Sequence, residues 1–310
     1  MLWALVGLAA VSSPAGETRP AAFADQFAQA SSVRLAWRSY GAEEAPPVVL
    51  LGGIGMQLVE WPPALIDGLV AQGRRVIVDD ARDTGASSHA PSQPPFDIGA
   101  AFAAIAAGSK PRLPYSADDM VADLGALMDA AKAPRADLIG VSGGATVAAL
   151  LAAKHPERVR SLTLVMANSG NRALPIPFKP ERMALAAPSA SVEETRFNTW
   201  RALAGKDEAF DERSARERAK LTAQRDPDIV APIRQGVALM ALGDVRATFS
   251  KIKAPTVVLH GADDPLISPQ AGREVAEAIG SAQYRLVDEM GHDVNPAATM
   301  AILAAVRPLR

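Results

Sequence analysis

Leu138-Ile139-Gly140-Val141-Ser142-Gly143-Gly144-Ala145 is an apolar run that breaks into Gly-x-Ser-x-Gly ahead of an alanine-rich, helix-favouring stretch. The pattern predicts a strand, a very tight turn with Ser142 at its tip, and a helix. Such a turn strains the serine backbone and brings strand and helix close together, so the residues two before and two after the serine must be small. Gly140 and Gly144 meet that demand. The hydroxyl then stands exposed above the sheet, and the Gly143 N–H, at the start of the helix, can face an oxygen that develops charge. As a bare string Gly-x-Ser-x-Gly is weak, because both residues are common in ordinary loops. Its surroundings give it meaning.

Working outward, Val33–Tyr40 alternates as a half-exposed strand, while Val48–Leu51 and Arg75–Val78 are short apolar runs of the kind buried on both faces. Helical spacing marks Pro62–Gln72, closed by Gly73, and a short helix near Ile98–Ala107 within the Pro-, Ala- and Gly-rich residues 89–115. A helix follows Ser116, with Asp119 placed for a capping box. Beyond the turn come a helix at Ala145–His155 and a strand at Val159–Val165. Strands alternating with helices predict an α/β fold, with a mostly parallel sheet covered on both faces. From residue 170 to 250 strand-like runs vanish and charged, helix-favouring sequence replaces them. The strand pattern resumes at Thr256–His260, with a helix near Pro269–Ile279, a strand at Gln283–Val287 and a last helix from Pro296. The expected organisation is an N-terminal segment 1–23, a core of residues 24–169 and 251–310, and a helical lid of residues 170–250.

Composition bounds the function. The 310 residues are 49% hydrophobic and 21% charged, the balance of a globular chain with a large core. A net charge of −2 with no basic face argues against a nucleic-acid partner. Without cysteine there is neither a disulfide framework nor a thiolate metal site. The apolar start, Met1 to Val11, falls short of the roughly 20 residues that span a bilayer, so no stable membrane insertion is expected. Small residues from Ser12 to Gly16 suit a signal-peptidase site, yet no Lys or Arg precedes Arg19. That absence favours a cytoplasmic chain, with export following if the start is a signal peptide. Oligomeric state is not readable from the sequence.

A serine hydroxyl needs an adjacent base, usually a histidine oriented by a carboxylate. Of the four histidines, His89 lies in a proline-rich loop, His155 ends a helix, and His260 ends a strand in a structural position. His292 sits in a loop beyond the last strand and is the candidate base. Asp263 and Asp264 both follow the strand ending at His260, and Pro265 pins the backbone of Asp264, making it the better acid. The other position for an acid, after the strand following the turn, holds Asn168. Asp79–Ser88 reads as a hydrogen-bonded loop containing an Arg82–Asp83 ion pair, and Ser87 and Ser88 lack flanking glycines. Gly52-Gly53-Ile54-Gly55 is not a dinucleotide loop, since its third glycine position holds Leu58.

The order Ser142, Asp264, His292 is that of the α/β-hydrolase triad. From about residue 33 onward the chain resembles the α/β-hydrolase superfamily, and is most similar to its aclacinomycin-methylesterase-like branch. The likeness rests on Leu51-Gly-Gly-Ile-Gly-Met-Gln57 with Trp61, Asp83-Thr-Gly85-x-Ser87, Tyr115-Ser-Ala-Asp-Asp-Met120, Gly140-Val-Ser-Gly-Gly144, His260-Gly-Ala-Asp-Asp264-Pro and Met290-Gly-His292-Asp. The resemblance implies Ser142 as nucleophile, His292 as base and then acid, Asp264 as its orienter, and the backbone N–H groups of Ile54 and Gly143 as oxyanion hole. Gly52-Gly53 replaces the family's His-Gly ahead of the oxyanion loop. The implied activity is hydrolysis of a small-molecule carboxylic ester through an acyl-enzyme, with no cofactor and no metal. Other chemistry of the same triad, such as perhydrolase, thioesterase or carbon–carbon hydrolase activity, stays open, as does a catalytically weak ligand-binding protein. Gln57 is open between reaching the site and tying down its loop, and Met56 and Trp61 between pocket wall and core.

Overall fold

A computed structural model describes residues 24–90, 96–175, 177, 179–206 and 210–306. The apolar start, residues 1–23, lies outside the described residues. Eight strands form one sheet: β1 (Gln26–Ala30), β2 (Val33–Tyr40), β3 (Pro47–Leu51), β4 (Arg75–Asp79), β5 (Ala136–Val141), β6 (Val159–Val165), β7 (Thr256–Gly261) and β8 (Gln283–Val287). Their order is β1-β2-β4-β3-β5-β6-β7-β8. β2 runs antiparallel to β1 and β4, and the remaining pairs are parallel.

The period-2 pattern of the strands divides the core in two. Val49, Leu51, Ile77, Leu138, Leu162 and Leu164 pack with α3 (Ala117–Ala130), α4 (Gly143–Lys154) and α10 (Pro269–Ile279). Their neighbours Val48, Leu50, Val76, Val78, Ile139 and Val165 face the other way, toward α1 (Pro63–Ala71) and α11 (Pro296–Ala305). Each such side chain contributes about 1.5–3 kcal/mol on burial. Ser116 caps α3 as its sequence predicts: its hydroxyl accepts the Asp119 N–H, while the Asp119 carboxylate accepts the Ser116 N–H at 2.7 Å.

Between β4 and α3 lies α2 (Ile98–Ala106). Between β6 and β7 the described chain is helical, as α5 (Pro180–Leu185), α6 (Val192–Leu203), α7 (Glu212–Arg225), α8 (Ile233–Met240) and α9 (Arg246–Phe249). No helix among the described residues is long and apolar enough to cross a membrane.

Two features depart from the sequence reading. β1 is an additional strand; only Ala28 and Ala30 in it are buried, and two small side chains leave little apolar alternation. The Arg82–Asp83 pair does not form. Arg82 reaches α3 instead, bonding Asp123 through Nε at 2.5 Å and Nη2 at 2.7 Å, and Asp83 takes two bonds from Arg234 of α8, at 2.7 and 2.8 Å. Adjacent residues with a positive φ at Asp83 (64°) project their side chains apart, so neighbours in sequence find separate partners.

Candidate active site

Ser142 joins β5 to α4 with φ 52° and ψ −118°, a conformation costing about 1–3 kcal/mol for a non-glycine residue. Its N–H is held by the Val165 carbonyl at 2.8 Å. A Cβ on Gly140 would come within 2.6 Å of the Gly144 carbonyl oxygen, and one on Gly144 within 2.3 Å of the Leu51 carbonyl oxygen. Strand, turn and helix therefore fit together only with glycine at both positions, the constraint foreseen in the sequence.

Two loops at the carboxyl ends of the strands bring the partners in. His292, between β8 and α11, places Nε2 3.0 Å from Ser142 Oγ and Nδ1 2.8 Å from Asp264 Oδ2. Asp264, just beyond β7, accepts the Leu266 and Ile267 N–H groups on Oδ1 at 2.9 and 2.8 Å. Burial alone would raise its pKa, but His292, His260 and these N–H groups outweigh burial and hold the carboxyl well below the usual range. The His292 backbone is fixed from the helical segment, its N–H donating to the Leu203 carbonyl at 2.8 Å. Beside it, burial pushes the Asp293 carboxyl up to about 6, against the opposing pull of the Gly291 N–H and His292.

Gly143 is the first residue of α4, and the N–H groups of a helix's first turn have no acceptor within the helix. The loop after β3 passes directly over it. The Ile54 nitrogen lies 3.5 Å from the point a Cβ on Gly143 would occupy, and a Cβ on Gly53 would lie 3.3 Å from the Ser142 Cβ. The Ile54 and Gly143 nitrogens thus lie close together beside the serine. The loop itself is propped by Gln235 of α8, whose Oε1 accepts the Gly55 N–H at 3.0 Å and whose Nε2 donates to Thr84 Oγ1 at 2.8 Å and to the Arg82 carbonyl. Sequence reasoning missed Gln235, since a glutamine in a short amphipathic helix carries no signal of what it supports.

A cleft opens beside these N–H groups, walled by Leu35, Leu51, Met120, Leu124, Val147 and Leu239. Asp79 also lines it, its carboxyl raised to about 8 by burial and by the nearby Asp80 and Asp123. The remaining candidates fall elsewhere. Asp263 faces Lys206 at 3.4 Å, His155 faces Glu157, and His89 stands 3.4 Å from Asp226. The Asn168 side chain accepts the Gly170 N–H at 2.9 Å within its own loop. Gln57 is fully buried and donates to the Thr222 carbonyl at 3.0 Å, so it ties down its loop, while Trp61 is core and Met56 packs against that core. His260 is not a mere strand end: its ring stands 3.3 Å from Asp264 Oδ2. Among the described residues no group of three or more His, Asp or Glu side chains is placed to hold a metal ion.

The profile of the alpha/beta hydrolase fold matches residues 46–296. The chain belongs to this family. As an α/β hydrolase it is an enzyme, and its sequence relatives agree with the methylesterase-like resemblance. It is 28% identical over 283 residues to the rhodomycin D methylesterase DauP of Streptomyces sp. (strain C5), covering 84% of this chain and 89% of that protein. Over 252 residues it is 27% identical to the 2-hydroxymuconate semialdehyde hydrolase of Pseudomonas sp. (strain CF600), covering 79% of this chain and 80% of that one. The enol-lactonase of Burkholderia xenovorans LB400 superposes with a TM-score of 0.67 at 22% identity, covering 90% of this chain and 97% of the other, a likeness of fold.

Proposed function

We propose that this α/β hydrolase cleaves a small-molecule carboxylic ester through an acyl-enzyme on Ser142. The reading rests on one observation above all: Ser142 Oγ, His292 and Asp264 stand in hydrogen-bonded series at 3.0 and 2.8 Å, with the nucleophile on a strained turn beside the Ile54 and Gly143 N–H groups. His292 Nε2 takes the Ser142 proton as Oγ attacks the ester carbonyl. The carbonyl oxygen becomes an oxyanion facing the two N–H groups, whose dipoles are fixed in advance and so cost little reorganisation. Asp264 keeps the proton on His292 Nδ1 and stabilises the imidazolium. That imidazolium gives its second proton to the departing alcohol, and the resulting neutral ring activates water for deacylation.

In this reading residues 170–250 are a lid over the core of 24–169 and 251–310, with 1–23 a separate N-terminal segment. The lid is tied to the machinery itself, through the Leu203 carbonyl at His292 and Gln235 at the oxyanion loop. The apolar cleft wall suits an uncharged acyl or alcohol group, and the methylesterase relative makes methyl esters the first class to assay. Incubation with a fluorophosphonate followed by peptide mapping tests the proposal. Stoichiometric label on Ser142, absent in Ser142→Ala, is the expected result. An unlabelled wild-type protein, or label indifferent to Ser142→Ala, would leave a ligand-binding protein on a hydrolase scaffold as the better reading.

A further inference from the structure

His260, at the carboxyl end of β7, has an exposure of 0%, and its Nε2 stands 3.0 Å from the Ile267 carbonyl oxygen and 3.3 Å from Asp264 Oδ2. A carbonyl can only accept a hydrogen bond, so Nε2 carries the proton and shares it between the two oxygens. The other nitrogen, Nδ1, is buried with no hydrogen-bond partner. The geometry therefore selects Nε2–H as the donor tautomer. The fold makes room for this ring at a cost of its own. Gly272 lies inside α10, where glycine is disfavoured by about 0.5–1 kcal/mol, and a Cβ there would come within 2.4 Å of His260 Nδ1.

From this geometry we infer that His260 is a positioning residue for the catalytic carboxylate, a second imidazole donor on the same Asp264 oxygen that holds His292. The inference rests on the reading of Ser142, His292 and Asp264 as the catalytic series. With His260 in place, Oδ2 divides its accepting capacity between two N–H groups, so Asp264 orients His292 without drawing its Nδ1 proton as strongly as a singly bonded carboxylate would. Removing the donor concentrates the carboxylate's pull on His292, stabilises the imidazolium in the resting enzyme, and raises the pH at which the base becomes free. The titratable and charged groups facing this pair are Asp264 and His292 themselves, with Asp293 beside them and Arg218 of α7 beyond.

Three variants, His260→Phe, His260→Gln and Gly272→Ala, test this in the full chain. The readouts are the pH profile of kcat/KM with p-nitrophenyl acetate, separate kcat and KM, and fluorophosphonate labelling. His260→Phe should lower kcat about tenfold, leave KM within about twofold, and move the acid limb up by about half a pH unit, the scale of one modest hydrogen bond. His260→Gln keeps an N–H donor and should retain the wild-type limb. Gly272→Ala keeps the imidazole but crowds it, and should move the limb in the same direction as His260→Phe. If the Phe variant does not fold, the Gln and Ala variants decide. An acid limb unchanged in Gly272→Ala or in a folded His260→Phe, or one displaced as far in the Gln variant, would overturn the assignment. A wild-type enzyme that takes no label would instead remove the catalytic reading on which it rests.

Discussion

The sheet-borne core and the helical segment between β6 and β7 are held by different physics. In the core, strand residues such as Val49, Ile77 and Leu138 are fully buried, and packing is apolar on both faces of the sheet. The helical segment has only a small apolar centre of its own, Phe197 with Ala215 and Ala219, and Arg216 lies over the Phe197 ring at 3.8 Å. It joins the core through apolar side chains of α8 and α9, Val237, Ala238 and Phe249 among them, and also through a seam of buried polar pairs: Arg225 with Asp80, Arg234 with Asp83, the Asp226 carboxylate with the Gly85 N–H, and Gln235 with the loop after β3. Apolar packing tolerates substitution by anything of similar shape, whereas a buried charge left without its partner is heavily penalised. The core therefore fixes where Ser142, Asp264 and His292 stand, and the polar seam helps to fix how the helical segment registers on them.

The difference can be sharpened experimentally. Asp264→Asn should cut kcat/KM by about 10³-fold or more by releasing the tautomer of His292, and should also lower Tm, because a carboxyl held well below its usual range stabilises the fold in its ionised form. Steady-state kinetics alongside thermal melts check both parts. Arg234→Ala leaves Asp83, whose exposure is 0%, without its counter-charge, with the Ala90 N–H and the Tyr115 hydroxyl still bonding it, and should destabilise the fold by about 3 kcal/mol in urea titration. Arg213→Ala, which removes a pair to Glu217 on an arginine that is 89% exposed, should change stability by less than about 0.5 kcal/mol. Equal effects of the two would show that the seam is no tighter than a solvated helix face.

The cleft acid gives a pH-dependent effect. Burial, with Asp80 and Asp123, raises Asp79 from 3.8 to about 8 in the folded protein. Between those values the folded state holds a proton that the unfolded chain has lost, so this group makes the fold less stable as pH rises through that window. Asp79→Asn removes the decline and should stabilise the protein by about 4 kcal/mol more at pH 8 than at pH 5, read from paired melts. Asp263→Asn is the smallest change. Asp263 faces an exposed lysine head group, Lys206 at 3.4 Å, and its loss should leave kcat/KM within about twofold.

What the sequence disclosed follows the same division. The turn at Ser142 was legible because steric demand singles out Gly140 and Gly144. The α3 cap was legible because Ser116 and Asp119 are local partners, and the central strands because burial on both faces makes each a short continuous apolar run. His292 and Asp264 could be placed by their position after strand ends. The seam was not legible. Arg225 finds Asp80 across 145 residues, and Arg234 finds Asp83 across 151, and no local rule selects among so many charged side chains. Gln235 and His260 were missed or undervalued for the same reason, since each acts through a neighbour that only the folded chain supplies.

The most direct test of the central claim is to trap the acyl-enzyme. Protein turning over p-nitrophenyl acetate is quenched in acid and its intact mass and peptides are measured. The account predicts one acetyl group per chain, carried on the peptide containing Ser142 and absent in Ser142→Ala. Turnover with no adduct in the wild type, or an adduct on any other residue, would contradict it.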